Sequence, residues 1–219
     1  PSDAHKYSRG HAMVWSGPPL RTGASRLAAQ AALAVGAGLV TIIGDRAALV
    51  EQAAHVTAIM LREADDALAC IDHRVTALAI GPGAGAEIAD IVCALLSRDI
   101  AMVLDADAIT AFAGDPARLF QHLCAHDVMT PHTGEFARLF PDIDLADRAA
   151  AAYSAARRSG AVVLLKGPHT TIAAPDGRLT KLGSLHLSVC HSFGSCSRGI
   201  DPMPSRNTSG QAARTGPLT

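Results

Sequence analysis

The sequence predicts a doubly wound α/β fold, a mostly parallel central sheet with helices on both faces. Three observations carry that prediction. Short apolar runs such as Leu39–Ile43 and Val75–Ile80 are continuous rather than alternating, as in strands covered on both sides. Helical stretches with recognisable start and stop residues lie between most of these runs. Apolar residues make up 49% of the 219-residue chain but aromatics only 4%, so the packing must come from aliphatic contacts between helices and sheet.

Taken in order, strands are expected at His11–Trp15, Leu39–Ile43, Thr57–Leu61, Val75–Ile80, Ala101–Leu104, Asp127–Thr130, Ala161–Lys166 and Thr170–Ala174. Thr22 can cap a helix over Gly23–Val35 that stops at Gly36, and Asp45 one over Arg46–Ala54. A further helix is expected over Ala86–Leu96. Asp115 followed by Pro116 is an N-cap with proline at the first helical position, leading into Ala117–Leu123. Asp144 can cap Leu145–Ser159, with Gly160 as a left-handed stop. Pro175-Asp176-Gly177 has turn chemistry and closes a hairpin. After Arg178 the sequence is rich in Ser, Thr, Gly and Pro and loses both periods. The expected organisation is one enzyme domain over residues 1–178 and a divergent, disordered tail over residues 179–219.

The formal net charge is −1 and no basic run exists, which argues against a nucleic-acid face. The longest apolar stretch, Ala28–Ile43, is interrupted by Gln30, Gly36 and Gly38 and falls short of the ~20 residues a membrane span needs. No signal-peptide pattern opens the sequence, so a cytoplasmic location is expected. Five cysteines show no metal-ligand spacing, and Cys70, Cys93 and Cys124, in apolar surroundings, read as small buried residues.

In parallel sheets, ligands bind outside the carboxyl ends of the strands, and the chemistry-bearing motifs fall there. "LAIGPGAG" (Leu78–Gly85) is a glycine turn before a helix, open to close backbone approach or simply a tight turn. "VLDADAIT" (Val103–Thr110) places Asp105 and Asp107 two residues apart, suited to Mg²⁺ or to a cap and a solvated surface. "VMTPHTGEFARLF" (Val128–Phe140) offers His132 as a ligand contact, with Thr133 or a neighbour capping the helix. "KGPHT" (Lys166–Thr170) ends a strand on a lysine, either at a ligand cleft or on a surface hairpin. "HKYSRGH" gathers His5, Lys6, Arg9 and His11, a cationic loop for a phosphate-bearing ligand or a solvated arm. "GASRLAAQAALAVGAGLVT" opens a helix with small residues at Gly23 and Ala24.

Together these six ordered motifs, spanning residues ~5 to 178, resemble the carboxy-terminal YjeF-type, ADP-dependent NAD(P)H-hydrate dehydratases of the ribokinase-like superfamily. The resemblance implies a repair reaction. A phosphoryl group passes from ADP (ATP in eukaryotic relatives) to the hydroxyl of hydrated NADH or NADPH, and phosphate is then eliminated with Mg²⁺ assisting. It implies that Ala24, Gly83 and His132 contact the hydrated dinucleotide. It also implies that Lys166, Gly167, Pro168, His169 and Thr170 cradle the nucleotide phosphates, and that the protein is a homo-oligomer such as a tetramer. Many members carry an amino-terminal epimerase domain.

One departure stands out. The family's Gly-(Ser/Thr)-Gly-Asp segment, whose Asp serves as catalytic base, has no match, so no catalytic residue is assigned. After Leu165 the only aspartates are Asp176 and Asp201. The expectation is a carboxy-terminal part that is missing or altered after Arg178, as by a reading-frame change, with low or no turnover and apolar sheet surface left uncovered. Two alternatives stay open: another ribokinase-like kinase of the hydroxymethylpyrimidine or hydroxyethylthiazole type, and a non-catalytic nucleotide-binding remnant.

Overall fold

The computed structural model describes residues 9–64 and 69–183. His5, Lys6, Asp201 and the rest of the expected tail from Ser184 onward lie outside the described residues. In chain order the elements are β1 (His11–Trp15), α1 (Gly23–Ala34), β2 (Leu39–Gly44), α2 (Arg46–Ala53), β3 (Met60–Glu63) and β4 (Val75–Ile80). A single 3₁₀ turn (Ala86–Ile88) then leads into α3 (Ala89–Leu96), β5 (Ala101–Leu104), α4 (Asp107–Thr110), α5 (Pro116–Phe120) and β6 (Val128–Met129). Finally come α6 (Thr133–Leu139), α7 (Arg148–Ser159), β7 (Val162–Leu165), β8 (Thr170–Ala173) and β9 (Leu179–Leu182).

The strands form one sheet in the order β3-β2-β1-β4-β5-β6-β7-β8-β9. All pairings up to β7 are parallel; β7-β8 and β8-β9 are antiparallel. The chain first winds outward from β1 to β3, then returns to β4 on the other side of β1 and winds the opposite way. The reversal between β1 and β4 is a topological switch point, where such sheets place their ligands.

Winding in two directions puts helices on both faces. Ala29 of α1 and Leu49 of α2 pack with Val14, Val40 and Ile42 on one face. On the other, α3 to α7 bring Val92, Ile109, Leu119, Phe136 and Ala152 onto Leu78, Met102, Leu104 and Val163. Phe112, Phe136 and Phe140 are at most 1% exposed; burying each such side chain stabilises the fold by about 1.5–3 kcal/mol. Helix ends follow local chemistry: Asp45 accepts from the Ala48 N–H, Asp115 from Arg118, and Gly160 closes α7 at φ 75°.

The doubly wound fold is as the sequence predicts, with local corrections. Residues Leu179–Leu182, expected to begin the disordered tail, form β9 and pair with Thr170–Ala173. Their exposed, mixed pattern suits an edge strand and hides it from an apolar-run criterion. The third strand starts at Met60 rather than Thr57, because its register with Thr41–Gly44 is set by the sheet edge. Helix α7 begins three residues late, capped by Asp147, while Asp144 turns back on the Ala146 N–H. His11 and Arg9, grouped with ligand-binding cations by the sequence, lie at the amino end of β1, away from the carboxyl edge. There His11 Nε2 bonds Thr41 Oγ1 at 2.8 Å, and burial lowers its pKa.

The sheet face opposite α3–α7 is open along its middle. Met102 and Leu104 are fully buried, but Val103 between them points the other way and is 37% exposed.

Candidate active site

The loops after β1, β4, β5, β6 and β7 meet along the carboxyl edge. At its centre, the Lys166 N–H donates to the Pro131 carbonyl at 2.8 Å, and His132 and Lys166 pair as a short parallel bridge beyond β6 and β7. The strands thus hand two candidate ligand contacts to one place. Lys166 Nζ donates to Asp105 Oδ1 at 2.6 Å from across the edge. Beneath them a cavity of ≈ 300 Å³ is lined by Val14, Ile80, Pro82, Asp105, Thr130 and Lys166 among others, and spans the switch point between β1 and β4.

The "DADA" segment is shaped by close packing. A Cβ at Gly81 would lie 1.8 Å from the Asp105 carbonyl oxygen, and Gly81 has φ 129°, so only glycine fits. Ala106 follows at φ 45°, an unusual conformation for a side-chain-bearing residue. It sets Asp105 facing Lys166 and the Ala106 N–H, while Asp107 Oδ2 accepts from the Gly85 N–H at 2.8 Å. Each carboxylate therefore braces a loop.

The Mg²⁺ role expected of Asp105 and Asp107 is one shared with phosphates, and in the free chain each carboxylate has a protein partner. An ammonium sits against Asp105, the second carboxylate is turned to a backbone amide, and no cluster of three His, Cys, Asp or Glu among the described residues converges on a metal position.

His132 is the N-cap of α6. Its Nδ1 accepts from the N–H groups of Gly134 (2.9 Å) and Glu135 (3.3 Å), and Glu135 Oε2 accepts from the His132 N–H at 2.8 Å. This capping box replaces the Thr133 cap the sequence suggests. An accepting Nδ1 leaves the ring proton on Nε2.

Gly83 packs between Gly17 and Arg21: a Cβ on Gly17 would meet the Gly83 carbonyl oxygen at 2.9 Å. Ala24 is exposed in the first turn of α1. The edge therefore gathers Ala24, Gly83, Asp105, His132 and Lys166 on neighbouring loops. Gly167 lies under the Arg148 guanidinium, whose Nη2 donates to the carbonyls of Leu165 (3.2 Å) and Lys166 (2.9 Å). Beyond Pro168 the segment turns away. His169 lines a separate cavity of ≈ 510 Å³ with Arg148, Thr171 and Lys181, and Thr170 opens β8 opposite Leu182. Within KGPHT, Lys166 thus lines one cavity and His169 another.

Sequence reasoning missed three residues of the edge: Arg148, Glu51 and Gln52. Glu51 accepts from the Leu20 N–H and the Thr22 hydroxyl, and these bonds hold its pKa below the ordinary carboxylate value. Their only sequence signal is polar residues in helices, which is common on solvated faces.

A parallel sheet with a switch-point cavity, a strand-end lysine and a glycine turn defines a doubly wound α/β ligand-binding protein. A solved ribokinase-like superfamily protein from Enterococcus faecalis shares the fold at TM-score 0.70 and 24% identity, over 83% of this chain and 65% of that one. The chain belongs to the NAD(P)H-hydrate dehydratase family, whose sequence profile matches residues 12–185. It is 38% identical over 186 residues to the bifunctional NAD(P)H-hydrate repair enzyme Nnr of Synechocystis, covering 81% of this chain and 36% of that protein. The Nnr of Gloeobacter violaceus is 39% identical over 193 residues, covering 82% and 37%. The ADP/ATP-dependent NAD(P)H-hydrate dehydratase of Bacillus subtilis, co-crystallised with ATP and Mg²⁺, matches at TM-score 0.70 and 25% identity, covering 83% and 66%. The chain thus spans little more than a third of the curated relatives and about two thirds of the solved structures. No helix among the described residues is long and apolar enough to cross a membrane.

Proposed function

We propose that the carboxyl edge binds ADP and a hydrated nicotinamide dinucleotide for the dehydratase reaction. The observation that carries this is the His132–Lys166 bridge: it sets a histidine implied for the dinucleotide beside a lysine that is implied for the phosphates and lines the switch-point cavity. In the reaction the substrate hydroxyl oxygen attacks the terminal phosphorus of ADP. The bond from that phosphorus to the bridging oxygen breaks, and AMP leaves with the electron pair. Phosphorylation turns hydroxide, a poor leaving group, into phosphate, which departs with its C–O bonding pair while the neighbouring ring carbon gives up a proton to solvent and its C–H pair becomes the restored C=C bond.

Such a step depends on positioning and on stabilising charge as it shifts toward the leaving oxygen. Lys166 offers an ammonium at the strand end, held by Asp105 but half-exposed and able to donate further bonds. At Gly167 the backbone after it lies against the Arg148 guanidinium, which fills the space a side chain would take. His132 Nε2 lies 3.3 Å from Glu135 Oε1 on a half-exposed ring, so meeting the dinucleotide means turning its proton from that carboxylate to the ligand. Mg²⁺, when bound, screens phosphate charge; the described residues give it no ligand set of their own.

The hydroxyl must lose its proton. Among the described carboxylates at or near the edge, Asp105 is paired with Lys166, Asp107 with the Gly85 amide, Glu51 with the Leu20 N–H and Thr22 hydroxyl, Glu135 with the His132 N–H, and Asp176 with Arg178 in the β8–β9 turn. None is placed as a free base at the edge. With no positioned base among the described residues, we infer slow turnover, since losing one costs about 10²–10⁴ in rate.

The test is calorimetric titration of the chain with ADP and with hydrated NADH, alongside NADH formation followed by absorbance. Saturable binding of both with slow turnover supports the reading. Absence of binding by either ligand sinks it, and turnover equal to that of an intact relative removes the slow-step argument.

A further inference from the structure

The loop Ser16–Thr22, between β1 and α1, is held from below by two successive residues of α2. Glu51 clips it with both oxygens: Oε2 accepts from the Leu20 N–H at 2.8 Å and Oε1 from the Thr22 hydroxyl at 2.6 Å. Leu20 stands at φ 69° and is 93% exposed, so no packing of its side chain explains the left-handed backbone. Gln52 reaches the same loop from inside. Fully buried, its Nε2 lies 3.0 Å from the Thr22 carbonyl, 2.8 Å from Ser25 Oγ and 3.3 Å from Ser16 Oγ. Its Oε1 is buried with no hydrogen-bond partner, a destabilising arrangement that a core would ordinarily avoid.

These bonds have one geometric result. Thr22, tied through its hydroxyl and its carbonyl, makes no side-chain cap on α1 and fixes the first turn that carries Ala24. The loop also presses Gly17 and Arg21 against Gly83. Two residues from separate motifs, Ala24 and Gly83, are thereby set relative to each other by a brace that touches neither.

We propose that Glu51 and Gln52 are positioning residues for the dinucleotide side of the site, acting through the Ser16–Thr22 loop. The inference rests on the reading that this edge binds the hydrated dinucleotide. It predicts an asymmetric effect: loosening the brace weakens dinucleotide binding and leaves ADP binding, on the β7 side of the edge, unchanged. A purely structural role would weaken both or neither.

The experiment titrates Glu51→Ala, Glu51→Gln and Gln52→Ala chains with hydrated NADH and with ADP, and follows amide exchange at Leu20. Glu51→Ala should raise the dinucleotide Kd about tenfold, leave the ADP Kd as in the parent, and speed exchange of the Leu20 amide. Glu51→Gln, which keeps acceptor and donor-binding shape, should recover most of the affinity. Gln52 is in the core, so Glu51, which lies at the surface, carries the decision if Gln52→Ala unfolds. Parental dinucleotide affinity in Glu51→Ala, or an equal loss of ADP affinity, overturns the brace alone. A parent chain that binds ADP but no dinucleotide overturns the functional reading beneath it, and an unaltered Leu20 exchange rate overturns the brace even then.

Discussion

Replacing His132 separates two roles that the structure gives one side chain. As a cap, its Nδ1 accepts from two amides at 2.9 and 3.3 Å; as a ligand contact, it would turn to the ligand an Nε2 that here faces Glu135 Oε1 at 3.3 Å, on a ring that is 55% exposed. His132→Ala removes both. Losing a side-chain cap costs about 1 kcal/mol, and the reciprocal Glu135 bond to the backbone N–H survives, so the loss should stay near that figure. His132→Asn retains a good capping oxygen and should lie within about 0.5 kcal/mol of the parent. It carries no donor at the Nε2 position. A neutral hydrogen bond contributes about 0.5–1.5 kcal/mol, so both variants should bind hydrated NADH roughly 2- to 12-fold more weakly. Urea denaturation reads the first quantity and calorimetric titration the second. Equal destabilisation by Asn and Ala would refute the cap; full dinucleotide affinity in His132→Asn would refute the ligand contact.

Lys166→Met should change stability by less than about 1 kcal/mol, because its pair with Asp105 is half-exposed and screened. The same variant should lower ADP affinity roughly 10- to 100-fold through loss of a charge-assisted bond; parental affinity would show that the lysine does not meet the phosphates. Gly81→Ala must displace the Asp105 carbonyl from 1.8 Å at a backbone conformation foreign to alanine, so it should cost about 3 kcal/mol or more. A urea midpoint within error of the parent would discredit that packing. Glu51 has a folded pKa below its ordinary 4.5, chiefly through the Leu20 N–H and then the Thr22 hydroxyl, with Arg26 and His55 adding to it. The clip's stabilisation is therefore complete above the ordinary value and is lost as pH falls through the lowered one. Leu20 amide protection should hold from neutrality to about pH 5 and vanish in stronger acid; loss already near pH 6 would contradict it.

The parallel strands and most helices were legible because their signals are local: continuous apolar runs, and Asp or Gly at the right offsets. The β9 strand was not, since Leu179-Thr180-Lys181-Leu182 has no apolar face to bury and owes its form to pairing with β8. Candidate contacts at strand ends could be named because the fold class fixes which edge holds them. Their partners could not. Lys166 meets Asp105 across 61 positions and Thr22 meets Glu51 across 29, and no periodicity encodes such distances. The carboxylate pair at 105 and 107 illustrates the cost: spacing suggested a shared cation, whereas tertiary contact gives each a different neighbour.

Strand β9 runs antiparallel to β8 and hence in the same direction as β7. Its last residue, Leu182, therefore emerges opposite Thr170, on the rim where Lys166 and His169 stand. The β8–β9 edge and the Lys166 loop thus share one rim, so a substitution that unpairs Leu182 from Thr170 should reach the segment after Lys166 before it disturbs the parallel strands.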